Sequence, residues 1–171
     1  DYEKKSAYSI RLKVTDSGDL SYEEPINLTV IDVNEVPTAI KLSQSNFNEN
    51  ISTASILANL TSTDEDTNDT HSYSLVSGDG DTDNSLFTIE GSNLKINSSP
   101  DYETKSSYNI RLKTTDSGGL SYEESVTISV NDINYVATDI SLSATSFNEN
   151  ISSGEVVATF STTDDDASDT H

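Results

Sequence analysis

Cysteine, methionine and tryptophan are absent from this 171-residue chain, proline occurs three times, and only 9 Lys and Arg stand against 30 Asp and Glu. Each shortage excludes something. Without Cys there is no disulfide staple, no thiolate metal site and no cysteine nucleophile. A formal net charge of −21 leaves no basic patch to offset a phosphate backbone or an anionic bilayer, so nucleic acid and anionic membrane surfaces are excluded as partners. No apolar run is long enough to span a bilayer and no signal-peptide h-region is present. Direct membrane insertion is therefore not expected, and export would be directed by sequence outside this window.

The chain is rich in carboxylates and in short apolar runs. A hydrophobic fraction of 32% with this charge borders on the disordered class. The apolar residues are nevertheless grouped in alternating runs of Ile, Val, Leu, Tyr and Phe, separated by Asp, Asn, Ser and Gly, as strands and turns are. Carboxylates at this density repel one another unless they are spread over a solvated surface or share a bound cation. Oxygen ligands of this kind prefer Ca²⁺, and general solubilising acidity is the alternative.

An internal repeat organises the sequence. The run DYEKKSAYSIRLKVTDSGDLSYEE from Asp1 returns as DYETKSSYNIRLKTTDSGGLSYEE from Asp101, an offset of 100 residues. FNENI at Phe47 returns at Phe147, and the DTH of Asp69 to His71 returns at Asp169 to His171. Residues 1–71 and 101–171 are two copies of one segment, and only 72–100 occurs once. The period suits a whole β-sandwich domain and is too long for a solenoid unit. The boundary falls at DVNEVP (Asp32 to Pro37) and again at DINYVA (Asp132 to Ala137), because Pro cannot donate to a central ladder and Asp/Asn clusters favour turns. This phasing makes residues 37–136 one complete repeat, 1–36 the C-terminal part of the one before it and 137–171 the N-terminal part of the next. Either the sequence is a window on a longer array, or neighbouring copies complete one another.

Seven strands are expected in the complete repeat, over about 40–47, 54–62, 72–77, 86–90, 93–98, 106–115 and 121–131, the number of a Greek-key sandwich. In the sixth, Tyr108, Ile110 and Leu112 alternate with Asn109, Arg111 and Lys113, placing an apolar face inward. Val126, Ile128 and Val130 do the same in the seventh, and Phe87 with Ile89, Leu94 with Ile96 and Tyr73 with Leu75 add inward pairs.

The succession ENxxS, TDED before YSL, DYE, TTDSGG and DxN at the boundary, recurring at one fixed period, resembles the cadherin repeat. The likeness is strongest to the tandem cadherin-like domains of giant bacterial surface and secreted adhesins, and it covers the whole chain. It implies an all-β, seven-stranded Greek-key β-sandwich of the cadherin/Ig-like kind, repeated every 100 residues or so, with Ca²⁺ held where successive repeats meet. The junction before the complete repeat would draw on Asp1 and Glu3, on Asp32, Asn34 (through its backbone carbonyl) and Glu35 of the linker, and on Asp64, Asp66 and Asp116. The junction after it would use Glu49, Asp101, Glu103, Asp132, Asn134, Asp164 and Asp166. Within each DYE, the Glu is the firmer ligand. The vertebrate linker pattern DxNDNxP is altered: Glu35 and Val36 take the places of its second Asp and Asn, while Tyr135, Val136 and Ala137 occupy the later linker. With one carboxylate and a Pro fewer, the later junction is expected to hold fewer ions, more weakly, or to bend more.

Asp79, Asp81, Asp83 and Glu90 fall at positions 1, 3, 5 and 12 of an EF-hand loop. Asn84 stands where that loop needs Gly, and Phe87 to Ile89 read as a strand, so a solvated turn is expected. His71 and His171 occupy the same repeat position and read as turn-capping or packing residues. There is no GxSxG, HExxH or phosphate-binding loop, and the carboxylates lack the aromatics of a sugar cleft, so no catalytic residue is assigned and an enzyme is not expected. Sequons such as those at Asn27 and Asn59 arise readily in a Ser/Thr/Asn-rich chain.

Two functions remain, in an extracellular protein that is secreted or attached to the cell surface. One is a spacer whose junctions stiffen with Ca²⁺, its partners being neighbouring repeats of the same or an identical chain. The other is a direct adhesive module binding a like repeat, a cell-surface protein or a polysaccharide. A third arrangement is a filament in which one chain's strands complete the next chain's sandwich.

Overall fold

The computed structural model describes residues 1–166 and Thr170; Asp169 and His171, noted above as repeat positions, lie outside them. Among the described residues there are twelve strands: β1 (Ala7–Thr15), β2 (Ser21–Thr29), β3 (Ala39–Leu42), β4 (Asn46–Asn48), β5 (Ile56–Thr63), β6 (Ser72–Leu75), β7 (Phe87–Glu90), β8 (Asn93–Ile96), β9 (Ser107–Thr115), β10 (Ser121–Asn131), β11 (Asp139–Leu142) and β12 (Phe160–Thr163). A 3₁₀ turn, Asn84–Leu86, precedes β7.

Strands β3 to β10 form two four-stranded sheets, ordered β4-β10-β9-β6 and β3-β5-β8-β7. All neighbours are antiparallel except β4, which runs parallel to the end of β10. The expected first strand, 40–47, is divided: β3 belongs to one sheet and β4 to the other. The three polar residues between them, Ser43, Gln44 and Ser45, carry the chain across. They hold it there with Ser43 N–H on Asn59 O and Gln44 Nε2 on Leu57 O. A strand that switches sheets closes the sandwich edge that a single straight strand would leave open.

Alternation places the core between the sheets. Ile40, Leu57, Leu60, Phe87, Leu94 and Ile96 from one sheet meet Phe47, Tyr108, Ile110, Leu112, Ile128 and Val130 from the other. The Tyr108 ring stands edge-on to Phe87 at 5.4 Å and stacks on Phe47 at 6.2 Å, offset geometries that aromatic quadrupoles favour. Polar positions in this layer are satisfied: buried Thr114 shares a 2.7 Å hydrogen bond with Ser62, whose hydroxyl also donates to Tyr73 Oη. The β7–β8 hairpin turns through Gly91 and Ser92 with Gly91 at φ +61°, the left-handed conformation such two-residue loops need.

The flanking segments reproduce the same pairings. β1 and β2 pair from Thr15 with Ser21 onward, as β9 and β10 do from Thr115 with Ser121. β11 and β12 pair as Asp139 with Thr163, matching Ala39 with Thr63.

Candidate metal centres at the two junctions

Each linker is tied to the segment that follows it by the same hydrogen bond. The Glu35 N–H donates to Asp66 Oδ2 at 2.8 Å, and the Tyr135 N–H donates to Asp166 Oδ2 at 2.5 Å. The N–H groups of Asp66 and Asp166 in turn donate to Oδ1 of Asp64 and Asp164, both at 3.2 Å. These Asx turns fix the spacing of each DxD pair. Asn34 extends the earlier contact, its Nδ2 donating to Asp116 Oδ2 at 3.0 Å and to Glu35 O at 3.2 Å. Asn134 Nδ2 donates to Tyr135 O at 3.1 Å.

Three groups of carboxylates result, each offering oxygens within 4.8 Å of one another: Glu3, Glu35 and Asp66; Asp64, Asp69 and Asp116; and Glu49, Glu103, Asp132 and Asp166. The first two flank the earlier linker and the third lies at the later one. Asp32 is outside these groups but lines a cavity of about 170 Å³ with Glu3, Asp66 and Asp69. A second cavity, of about 200 Å³, is walled by Glu49, Asp101, Glu103, Tyr135 and Asp165.

Among the described residues, the Lys and Arg ion pairs are made with Asp1, Glu23, Asp83, Glu90 and Glu123, none of which belongs to these groups. Two carboxylates 4 Å apart repel by about 1 kcal/mol in water and about 4 kcal/mol at an effective dielectric of 20. Glu35 Oε2 and Asp69 Oδ2 are shut away from solvent and accept no hydrogen bond, whereas buried carboxylate oxygens are normally satisfied. Loss of solvent pushes the Glu35 carboxyl above its ordinary value, and the charges of Asp66, Glu3, Glu65 and Asp32 add to it. At Glu103 a backbone hydrogen bond lowers the value, but desolvation and the charges of Glu49, Asp132 and Asp101 raise it further than that. An oxygen-only donor set under mutual repulsion, with buried oxygens left over, fits a hard divalent cation such as Ca²⁺.

Other carboxylates are occupied by backbone. Buried Glu49 accepts from Tyr102 N–H at 3.0 Å and Ile133 N–H at 2.9 Å, locking the base of the sandwich to its linker while still facing Glu103. Burial pushes Asp116 up, and hydrogen bonds from Asn34 Nδ2 and the N–H groups of Leu120, Gly119 and Gly118 more than offset it, leaving the group below its ordinary value. Asp101 is not gathered with Glu103; it caps its own turn, accepting from Thr104 Oγ1 at 2.8 Å and Thr104 N at 3.0 Å, and those bonds lower its pKa. Asp1 likewise accepts from Lys4 N–H and pairs with its ammonium. Asp164 is engaged with Asp166 through the Asx turn.

Asp69 was not among the expected ligands. It sits in the DTH element that repeats at 100 residues, and its Oδ1 accepts from Ser117 Oγ at 2.8 Å, which turns the other oxygen toward Asp64 and Asp116. The recurrence of that Asp close to a His was the available signal. His71 Nε2 is hydrogen-bonded to Asp64 Oδ2 at 2.9 Å, which caps the turn and engages one oxygen of that carboxylate. The EF-hand spacing gathers no site: Asp81 accepts from Gly78 N–H, Asp83 from Asn109 N–H and Lys105 Nζ at 2.7 Å each, and Glu90 pairs with Lys95.

A two-layer sandwich with acidic clusters at linkers that recur at a fixed period defines a tandem β-sandwich repeat, and comparison with known proteins places it. The cadherin domain profile matches residues 43–131, just over half of the chain, and the chain belongs to that family. It is 30% identical to mouse (Mus musculus) protocadherin Fat 4 over 97% of its length and 3% of the relative's. It is 28% identical to human (Homo sapiens) protocadherin gamma-A1 over 99% of its length and 19% of the relative's. Among solved structures, extracellular cadherin domains 1–4 of protocadherin gamma B7 match 96% of this chain and 42% of that one, with a TM-score of 0.66 and 25% identity. Domains 1–5 of protocadherin gamma B2 match with a TM-score of 0.62 and 24% identity, over 96% of this chain and 33% of that one. The chain thus spans a small part of each curated relative.

Proposed function

We propose that this chain is a calcium-stiffened spacer module of an extracellular adhesin or surface fibre. In this reading residues 37–136 are one repeat, residues 1–36 close the preceding one and residues 137–171 open the next. Ca²⁺ at each junction is held by carboxylates from the base of one repeat, the linker and the top of the following repeat. Glu3, Glu35, Asp66, Asp64, Asp116 and the added Asp69 would serve the earlier junction, with Asp32 and the Asn34 carbonyl. Glu49, Glu103, Asp132 and Asp166 would serve the later one, with Asp164 and the Asn134 carbonyl. Asp1 and Asp101 would act through their turns and not as ligands.

One observation carries the reading: carboxylates from three separate segments converge within 4.8 Å around each linker while backbone hydrogen bonds hold the linker against the next DxD pair. Without an ion that arrangement is repulsive; with one, it clamps two bodies at a fixed angle. Disulfides cannot supply the stiffness instead, since the chain contains no Cys. Repeats that recur at a constant 100-residue offset favour a giant array of the bacterial surface-adhesin kind. A polar exterior favours a spacer over a direct binding face, because the complete repeat exposes few large apolar side chains, Ile56 and Leu120 among them.

The test is thermal unfolding and small-angle scattering of three complete repeats in millimolar Ca²⁺ and in chelator. A higher melting temperature and a longer particle with Ca²⁺ are expected. Identical melting and dimensions in both would reduce the acidity to surface solvation and sink the calcium reading.

A further inference from the structure

We infer that the flank of the complete repeat carries a binding groove for a neutral polysaccharide, lying where β3 and β4 diverge and built from the side-chain amides of Gln44, Asn46, Asn48 and Asn131. The groove follows from the divided first strand. β3 ends at Leu42, opposite Leu60, and the chain then crosses to join β10 from Asn46. The start of β5 is thereby left without a neighbouring strand on that side, and a cavity of about 310 Å³ opens between β4 and β5. Every residue lining it lies between 44 and 57 or is Asn131, so it belongs wholly to the complete repeat. Its volume is at the lower end of the range for small-ligand clefts, about 300–1,000 Å³. Buried Phe47 and Leu57 and half-buried Ile51 line it together with Ile56, which is 56% exposed.

The polar lining consists of amides that are half used. Gln44 Nε2 donates to Leu57 O at 2.6 Å, and Asn131 Nδ2 donates to Asn48 Oδ1 at 3.0 Å. Among the described residues these side chains and that of Asn46 make no other hydrogen bond. One end of each bonded amide is thus fixed and the other is open: Gln44 Oε1 and Asn131 Oδ1 as acceptors, Asn48 Nδ2 as a donor, and both atoms of Asn46. Donors and acceptors interleaved over an apolar surface suit a sugar ring, whose hydroxyls both donate and accept while its C–H face covers the aliphatic side chains. No charged side chain lines the groove in a chain of net charge −21, so a neutral ligand is favoured and an anionic one repelled. A peptide strand fits less well. On the β5 side Leu57 O is taken by Gln44 and the Asn59 N–H by Ser43 Oγ at 2.9 Å, so an added strand could extend a ladder on the β4 side only.

The internal repeat separates what the fold needs from what the groove adds. At the offset of 100 residues Phe47, Asn48 and Ile51 return unchanged as Phe147, Asn148 and Ile151. Gln44 and Asn46 return as Ala144 and Ser146, Asn131 is matched by Ile31, and Ser55 becomes Glu155. The packing residues are shared; of the amides only Asn48 is. The β1–β2 and β11–β12 pairings recur without the others, so the strands do not need them in order to form. Phe47, the one aromatic ring in the groove, is 6% exposed. Hydrogen bonds therefore set the affinity, and binding is weak, with a Kd of about 1 mM. This ligand goes beyond the spacer reading and rests on none of its ions.

The test is a magnetic-resonance titration of the isotope-labelled chain with neutral oligosaccharides of glucose, mannose, galactose, xylose and N-acetylglucosamine. Oligogalacturonate serves as an anionic control and an extended uncharged peptide as a second. At least one neutral glycan should move the backbone and side-chain amide signals of residues 44–57 and 131, equally in Ca²⁺ and in chelator. Gln44→Ala, Asn46→Ser and Asn131→Ile install the residues of the neighbouring repeats. Each should weaken binding about threefold to tenfold, and together they should abolish it while the complete repeat melts as before. No response to any neutral glycan at about 20 mM, a response outside the groove, an equal response to oligogalacturonate, or a response to the peptide alone overturns the assignment. So does binding that vanishes in chelator while the repeat stays folded, because the glycan would then sit on an ion. A chain that binds no glycan yet melts higher in Ca²⁺ leaves the spacer reading intact.

Discussion

The two junctions share one backbone tie and differ in the side chain of the residue that makes it, Glu35 in one and Tyr135 in the other, as well as at Pro37 against Ala137. In both, the linker N–H docks on the second Asp of the following DxD. At the earlier junction that N–H belongs to Glu35, whose buried Oε2 has no hydrogen-bond partner. At the later it belongs to Tyr135, whose hydroxyl instead accepts from Asn50 Nδ2 at 3.3 Å. The same backbone contact therefore holds the segment after each linker, and in the proposed reading the side chain sets how much negative charge a cation would offset. A phenol on an amide gives the later junction a neutral tie where the earlier one has a carboxylate. Each junction gathers carboxylates from both sides of its linker, Glu3 with Glu35 and Asp66 at the earlier and Glu49 and Glu103 with Asp132 and Asp166 at the later.

The largest difference should come from removing a carboxylate that serves only one junction. Asp116→Asn keeps the shape of the side chain and loses the charge beside Asp64 and Asp69. Calcium or terbium titration should show about a hundredfold loss of affinity at the earlier junction, with binding at the later one unchanged. Equal losses at both, or none, would mean that the two junctions are not independent sites built as described.

Exchanging the distinguishing residues should move the junctions toward one another. Glu35→Tyr is expected to weaken the earlier junction about tenfold, and Tyr135→Glu to strengthen the later one by a similar factor, both read by calorimetry. If Tyr135→Glu leaves the later affinity unchanged, the difference between the linkers lies elsewhere, Pro37 against Ala137 being the next candidate. A smaller effect, a few-fold, is expected from Gly118→Ala. A Cβ there would fall 2.1 Å from Asn34 Oδ1, so Asn34 must leave Asp116. The Gly18→Ala counterpart meets only Asp16 Oδ1 at 3.4 Å and should change nothing at the earlier junction.

Much of this was legible in the sequence, for definite reasons. Strands β9 and β10 declare themselves because Tyr108, Ile110 and Leu112 alternate without interruption, and the 100-residue offset transfers each assignment to β1 and β2. The division of the first strand into β3 and β4 was not legible: Leu42 and Phe47 are apolar on either side of a polar tripeptide, and period alone does not reveal that the two ends join different sheets. The motifs mark these loops and the resemblance already ranks the Glu of each DYE above the Asp, but the local reason is visible only in the structure: Glu103 faces other carboxylates, whereas Thr104 occupies Asp101 within the same turn. That choice depends on a local hydrogen bond. Asp69 was missed because its role depends on Ser117, 48 residues later, a contact that no spacing rule anticipates.

Acidity offers the gentlest way to separate the junctions, since it acts on charge and leaves the chain unaltered. Without metal, the raised carboxyls of Glu35 and Glu103 bind protons more readily in the folded than in the unfolded chain. In the window between the ordinary glutamate value and the raised one, the folded state holds more protons, so metal-free stability rises as pH falls through it. Asp83 and Asp116 act oppositely: their values are lowered, so the stability they contribute is present above the ordinary aspartate value and is lost as pH falls from there through the lowered one. Thermal melts in chelator should therefore pass through a shallow maximum on the acid side of neutrality, and Glu35→Gln should flatten its neutral-pH limb. With Ca²⁺ present the same protons compete with the ion, and stability should instead fall steadily as pH drops. A metal-free profile that declines monotonically from neutral pH would show that repulsion around Glu35 and Glu103 is too weak to matter, removing the electrostatic reason for either junction to hold a cation.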